Sequence, residues 1–87
     1  MRFWTYTLSS GSLTINAVDG AMFLSLQTSS TGSCNVTGNI PFKGLPASDV
    51  GISAGNGINL SALSPQSPLD GITITWVSGS VDIVIGF

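Results

Sequence analysis

Apolar residues recur along this chain at every second position, in short runs rich in Thr, Ile and Val that are bounded by Gly, Ser, Asn and Pro. Period two is the signature of strands with one buried face, and no window carries the 3.6-residue period of an amphipathic helix. The clearest strands are expected at Phe3–Leu8, Ser12–Val18, Ala21–Gln27, Gly71–Val77 and Ser80–Phe87, with further candidates at Ser33–Thr37 and Gly57–Leu60. About seven short strands in one domain predict an all-β fold, a small antiparallel β-sandwich or a jelly-roll-like barrel spanning residues 1–87.

Asp19-Gly20 and Ser78-Gly79 each sit between two such runs, and glycine accepts the positive φ of a tight turn. Reading both as two-residue hairpins sets Ala17 opposite Met22, Ile15 opposite Leu24 and Leu13 opposite Leu26. The second sets Trp76 opposite Val81, Ile74 opposite Ile83 and Ile72 opposite Ile85. Each hairpin then has one fully apolar face, so Trp76, Ile74, Ile83, Ile85, Ile15 and Leu24 are the expected core. The two segments also resemble each other at a constant offset, Leu13-Thr14-Ile15 matching Ile72-Thr73-Ile74 and Gly20 matching Gly79. Residues 28–68 hold all four prolines, Pro41, Pro46, Pro65 and Pro68, and are expected to supply loops and edge strands.

Composition sharpens the picture, because an 87-residue chain buries only about 60–65% of its unfolded surface and needs help from elsewhere. One cysteine, Cys34, and no histidine rule out an intrachain disulfide and a Cys/His zinc site. Oligomerisation is the remaining stabiliser. Only 7% of residues are charged, namely Arg2, Lys43, Asp19, Asp49, Asp70 and Asp82. A Ser/Thr/Asn/Gly surface in place of a charged one suits contact with other protein. Two basic residues give no patch for DNA or RNA, and no apolar run reaches the roughly 20 residues of a membrane helix. The residues after Met1 alternate and lack the apolar stretch of a signal peptide.

Acid–base catalysis draws most often on His or Glu, and this chain has neither. Asp19 and Asp70 occupy turn positions, while Cys34 lacks a base to activate it and reads as a small buried residue. No catalytic, cofactor-binding or metal-binding residues are therefore expected, and the chain reads as a non-enzyme. The first strand places Trp4 and Tyr6 on one face and Phe3 with Thr5 and Thr7 on the other. Phe3, Trp4 and Tyr6 are the candidate interface residues or ligand platform.

The stretch from Gly55-Asn56-Gly57-Ile58 through Ser67-Pro68-Leu69-Asp70-Gly71-Ile72-Thr73-Ile74, closed by Ile83-Val84-Ile85-Gly86-Phe87, resembles small β-sandwich proteins of tailed-phage virions. Capsid decoration (cement) and head-fibre proteins are the types it is similar to, over about the last third of the chain. The resemblance implies a structural protein of the virion, a symmetric homotrimer bound to the major capsid or another virion protein. A carbohydrate- or receptor-binding module of a phage tail or secreted assembly is the alternative, since exposed Trp and Tyr also stack on sugars.

Overall fold

The computed structural model describes residues 2–38, 50–62 and 66–87. Pro41, Phe42, Lys43, Pro46, Asp49 and Pro65 lie outside them. Among the described residues eight strands form two antiparallel four-stranded sheets packed face to face: β1 (Phe3–Leu8), β2 (Ser12–Ile15), β3 (Phe23–Thr28), β4 (Ser33–Thr37), β5 (Val50–Ser53), β6 (Gly57–Ser61), β7 (Ile72–Ser78) and β8 (Val81–Gly86). The first sheet has the order β1-β8-β3-β6 and the second β2-β7-β4-β5. β5 is the strand that the sequence pattern did not predict, because Val50-Gly51-Ile52-Ser53 is short and carries a glycine.

These two strand orders have one simple origin. Partner residue numbers add to 89 in β1–β8, 87 in β2–β7, 84 in β3–β6 and 86 in β4–β5. The chain is one long ribbon doubled back on itself near its middle, with each strand of the first half paired to its mirror strand in the second. Rolling that ribbon brings β8 against β3 and β7 against β4, which completes both sheets. That wrapping is the jelly roll, an arrangement that limits the exposed strand edges of a sandwich.

The inward rows follow the predicted alternation. Leu24 and Leu26 of β3 flank Ile85 and Ile83 of β8, and Trp4 and Tyr6 of β1 lie on the other side of the same two isoleucines. Opposite them the second sheet contributes Ile15, Cys34, Val36, Ile72 and Ile74, all buried. Trp76 belongs to the same row but sits at its end, where it is half-buried and packs against the core.

The hairpin pairings, by contrast, are overturned. β2 and β3 belong to different sheets, as do β7 and β8, so both glycine turns are corners between layers. At the first corner the predicted strand Ser12–Val18 stops at Ile15. The Asn16 N–H donates to Asp19 Oδ2 at 2.8 Å and the Ala17 N–H to Asp70 Oδ1 at 2.9 Å, so neither amide continues the ladder. Ala17–Asp19 form a short 3-10 turn, and Gly20 at φ 72° releases the chain into the other sheet, where the Met22 N–H bonds Gly86 O at 2.7 Å. Asn16 followed by an acid three residues on is a local helix-start pattern that outcompetes the hairpin. The matching segments meet in the fold: Leu13-Thr14-Ile15 and Ile74-Thr73-Ile72 pair with each other across β2 and β7, the two threonine hydroxyls meeting at 3.1 Å.

At the second corner Gly79 has φ 62°, and the Trp76 indole N–H donates to its carbonyl at 2.9 Å. The turn is seated on the loop before β4, with the Ser29 N–H on Ser80 O at 2.9 Å and the Ser78 hydroxyl donating to Thr31 O at 3.2 Å.

Candidate functional site

Among the described residues no group of three His, Cys, Asp or Glu side chains comes together, and no helix is long and apolar enough to cross a membrane. The cysteine is part of the core. Cys34 is 1% exposed, and burial pushes its thiol pKa above the ordinary value because the thiolate would lose its hydration. In the unfolded chain the thiol ionises at its ordinary value while in the fold it stays neutral, so the contribution of Cys34 to stability is constant below about pH 8.5 and declines as pH rises beyond it. Ellman's reagent at pH 8 is expected to leave Cys34 unmodified in the native protein and to label it fully in urea. Rapid native labelling would show that the thiol is open to solvent.

The features left over concentrate on one side of the sandwich, where β1 and β2 are the edge strands of their respective sheets. β1 reads Phe-Trp-Thr-Tyr-Thr-Leu and is exposed at every position up to Leu8. It carries no charge, no proline and no bulge, the usual means by which an edge strand is kept from pairing with another chain. The aromatics predicted as interface residues are the most conspicuous apolar groups here: Phe3 is 58% exposed, Trp4 43% and Tyr6 42%.

Trp4 and Tyr6 point to the inner side of their sheet, as their registry with Ile85 and Ile83 requires, yet remain open to solvent because among the described residues no strand lies beyond β1. Their rings stack on each other at 5.2 Å with 8° between planes. Phe3 lies on the outer face. It and Phe23 are both neighbours of Gly86, and their rings meet edge to face at 6.1 Å over that glycine. Where a Gly leaves a gap on a strand surface, neighbouring rings fill it. Phe3 thus contributes within the chain as well as at its edge.

Between the two edge strands a cleft of about 260 Å³ is walled by Trp4, Leu13, Ile15, Ala21, Ile85 and Phe87, with Asp19 at its rim. The Arg2 guanidinium lies 5.8 Å from the centre of the Phe87 ring. No family model, curated protein or solved structure matches the chain.

The broad outer faces of the sheets are almost free of charge. The second sheet presents Thr14, Thr73, Thr75, Val77 and Asn35, and the first presents Phe3, Thr5, Thr7, Ser25, Gln27, Asn59 and Val84. Asp82 is the one charged residue on either face among the described residues, and it accepts a hydrogen bond from the Thr7 hydroxyl at 3.0 Å. The edge position of β1 is what sequence reasoning missed. Strand order decides it, and no local pattern in Phe3–Leu8 encodes strand order.

Proposed function

We propose that this chain is a structural subunit that acts by assembling with its own copies and against a larger protein surface. The observation that carries the reading is the uncharged aromatic edge strand β1, set beside two sheet faces that share a single charge among the described residues. Monomeric proteins keep such edges and faces guarded by Lys, Glu and Arg, because unguarded ones associate. The jelly roll is the framework of many viral capsid domains. Together with the resemblance of the last third of the chain, this supports a capsid decoration or head-fibre subunit as the specific form of the proposal. No catalytic role is proposed.

The cleft beside Trp4 supports the alternative, recognition of a small ligand such as a sugar. The Trp4–Tyr6 geometry weighs against it. Stacked face to face, the two rings stand one behind the other and do not lie side by side as one flat surface of the kind a sugar packs on.

Sedimentation velocity across a dilution series tests the proposal. The expected result is an oligomer at micromolar concentration, converted to monomer or aggregate when Trp4 and Tyr6 are both replaced by Ser. A monomer that melts at the same temperature over a hundredfold dilution would refute the assembly reading, and specific retention on a glycan array would then put ligand binding in its place.

A further inference from the structure

We infer that β1 pairs with β1 of a second copy across a two-fold axis at Thr5, joining the two first sheets into one sheet of eight strands. The inference rests on the assembly reading above and specifies its contact.

The phase of the β1 ladder comes from its beginning, where the Phe87 N–H donates to Arg2 O at 2.9 Å. Antiparallel strands alternate hydrogen-bonded and non-hydrogen-bonded pairs. With Arg2 and Phe87 hydrogen-bonded, Trp4 with Ile85, Tyr6 with Ile83 and Leu8 with Val81 are hydrogen-bonded as well. The backbone N–H and C=O groups of Phe3, Thr5 and Thr7 therefore point the other way, out of the sheet edge. Five consecutive residues offer three donors and three acceptors, spaced symmetrically about Thr5.

A second β1 running antiparallel satisfies all of them in a single register. Phe3 bonds Thr7 of the second copy, Thr5 bonds Thr5, and Thr7 bonds Phe3. Shifting the pairing by two residues either way leaves one of the three outside the pairing among them. In the centred register Trp4 stands opposite Tyr6 of the second copy as a non-hydrogen-bonded pair, the closer kind, with Cα atoms about 4.5 Å apart. Aromatic cross-strand pairs are among the stabilising ones. The two Trp4–Tyr6 stacks thus come together as a four-ring cluster on the inner side. On the outer side the two Thr5 side chains meet at the axis.

Charge fits the same arrangement. The pairing strands carry none, so no like-charge repulsion opposes their approach. At about 200 Å² per side chain, the exposed parts of Phe3, Trp4 and Tyr6 amount to roughly 300 Å² per copy and about 600 Å² for the pair. The strand backbone, Thr5 and Thr7 add to this, toward the roughly 1,200 Å² at which stable interfaces begin. The contact closes with two copies, in contrast to the three-fold that the resemblance implies.

Thr5→Pro tests the pairing directly. Proline at an outward-facing N–H leaves the β1–β8 ladder intact but removes both central bonds of the pair. Wild-type protein is expected to sediment as a dimer. Thr5→Pro is expected to keep the wild-type circular dichroism spectrum and weaken association at least about tenfold. Thr5→Lys places two like charges at the axis and is expected to be monomeric at low salt, with association recovering as salt is raised. This second variant decides the matter if the proline variant does not fold. A wild-type monomer would sink both the assembly reading and this contact. A wild-type trimer or dimer whose mass is indifferent to Thr5→Pro and Thr5→Lys would leave assembly standing and overturn the β1 pairing.

Discussion

Replacing Gly79 with alanine is expected to destabilise the domain by about 2–5 kcal/mol, near the limit of what a chain of this size withstands. Two effects combine. At φ 62° the residue is in the left-handed region, where a Cβ costs roughly 1–2 kcal/mol. The added methyl would also stand 2.6 Å from Gly32 Cα and 2.8 Å from Gly32 N, both backbone atoms that cannot rotate away. The corner would have to lift off the Ser29–Gly32 loop, and forced overpacking of this sort costs about 1–3 kcal/mol more. Gly20→Ala is the matched control. Its φ of 72° carries the same conformational penalty, but among the described residues nothing lies within 4 Å of its Cβ position. At about 4–8 °C per kcal/mol for a domain of this length, calorimetry should place the Gly79 variant well below the Gly20 variant. Equal melting temperatures for the two would show that the close seat of Gly79 on Gly32 carries no energy.

A comparable loss is expected from Ile83→Ala. Ile83 is 1% exposed at the middle of β8, with Tyr6 on one side and Leu26 on the other in the same sheet. Neighbours on two flanking strands hold their positions through their own ladders, so the space left by three carbon atoms cannot close. Truncations of this kind cost about 2–5 kcal/mol. Val84→Ala, one residue on and facing outward, should cost less than about 1 kcal/mol. If urea titration ranks the two the other way, the inner and outer rows of β8 have been exchanged, and with them those of every strand registered to it.

Much of this inner row could be read from the sequence, and the reason is physical. Period two assigns each side chain to a face: of the residues expected inside, Ile74, Ile83, Ile85, Leu24 and Ile15 are buried, while Trp76 at the end of its row is half-buried. Face assignment does not say which strand lies alongside. Ile15 was expected opposite Leu24 and is paired with Ile72, because the Asp19 and Asp70 carboxylates take the two amides after β2 and carry the chain into the other sheet. Positive φ at Gly20 and Gly79 was legible, but a glycine that permits a tight turn equally permits a corner. At the candidate site, the aromatics of β1 stood out by composition. Their exposure depends on β1 being the outermost strand, which follows from the rolling of the whole ribbon and from nothing within Phe3–Leu8.

The doubled ribbon has a kinetic consequence. Every strand of the first half finds its first partner in the second half, and the outermost pair, Phe3 with Gly86, joins almost the full length of the chain. Loop closure must be completed before such contacts contribute, which places jelly rolls among the slower small folds, in the millisecond-to-second range. Until β8 arrives, β1 and β3 have no central strand between them, and the alternating aromatic segment Phe3–Leu8 stays unpaired in a partly wound chain. Winding from the inner β4–β5 pair outward would make the docking of β1 and β8 the last step to native structure, and the stage most exposed to misassociation at high protein concentration.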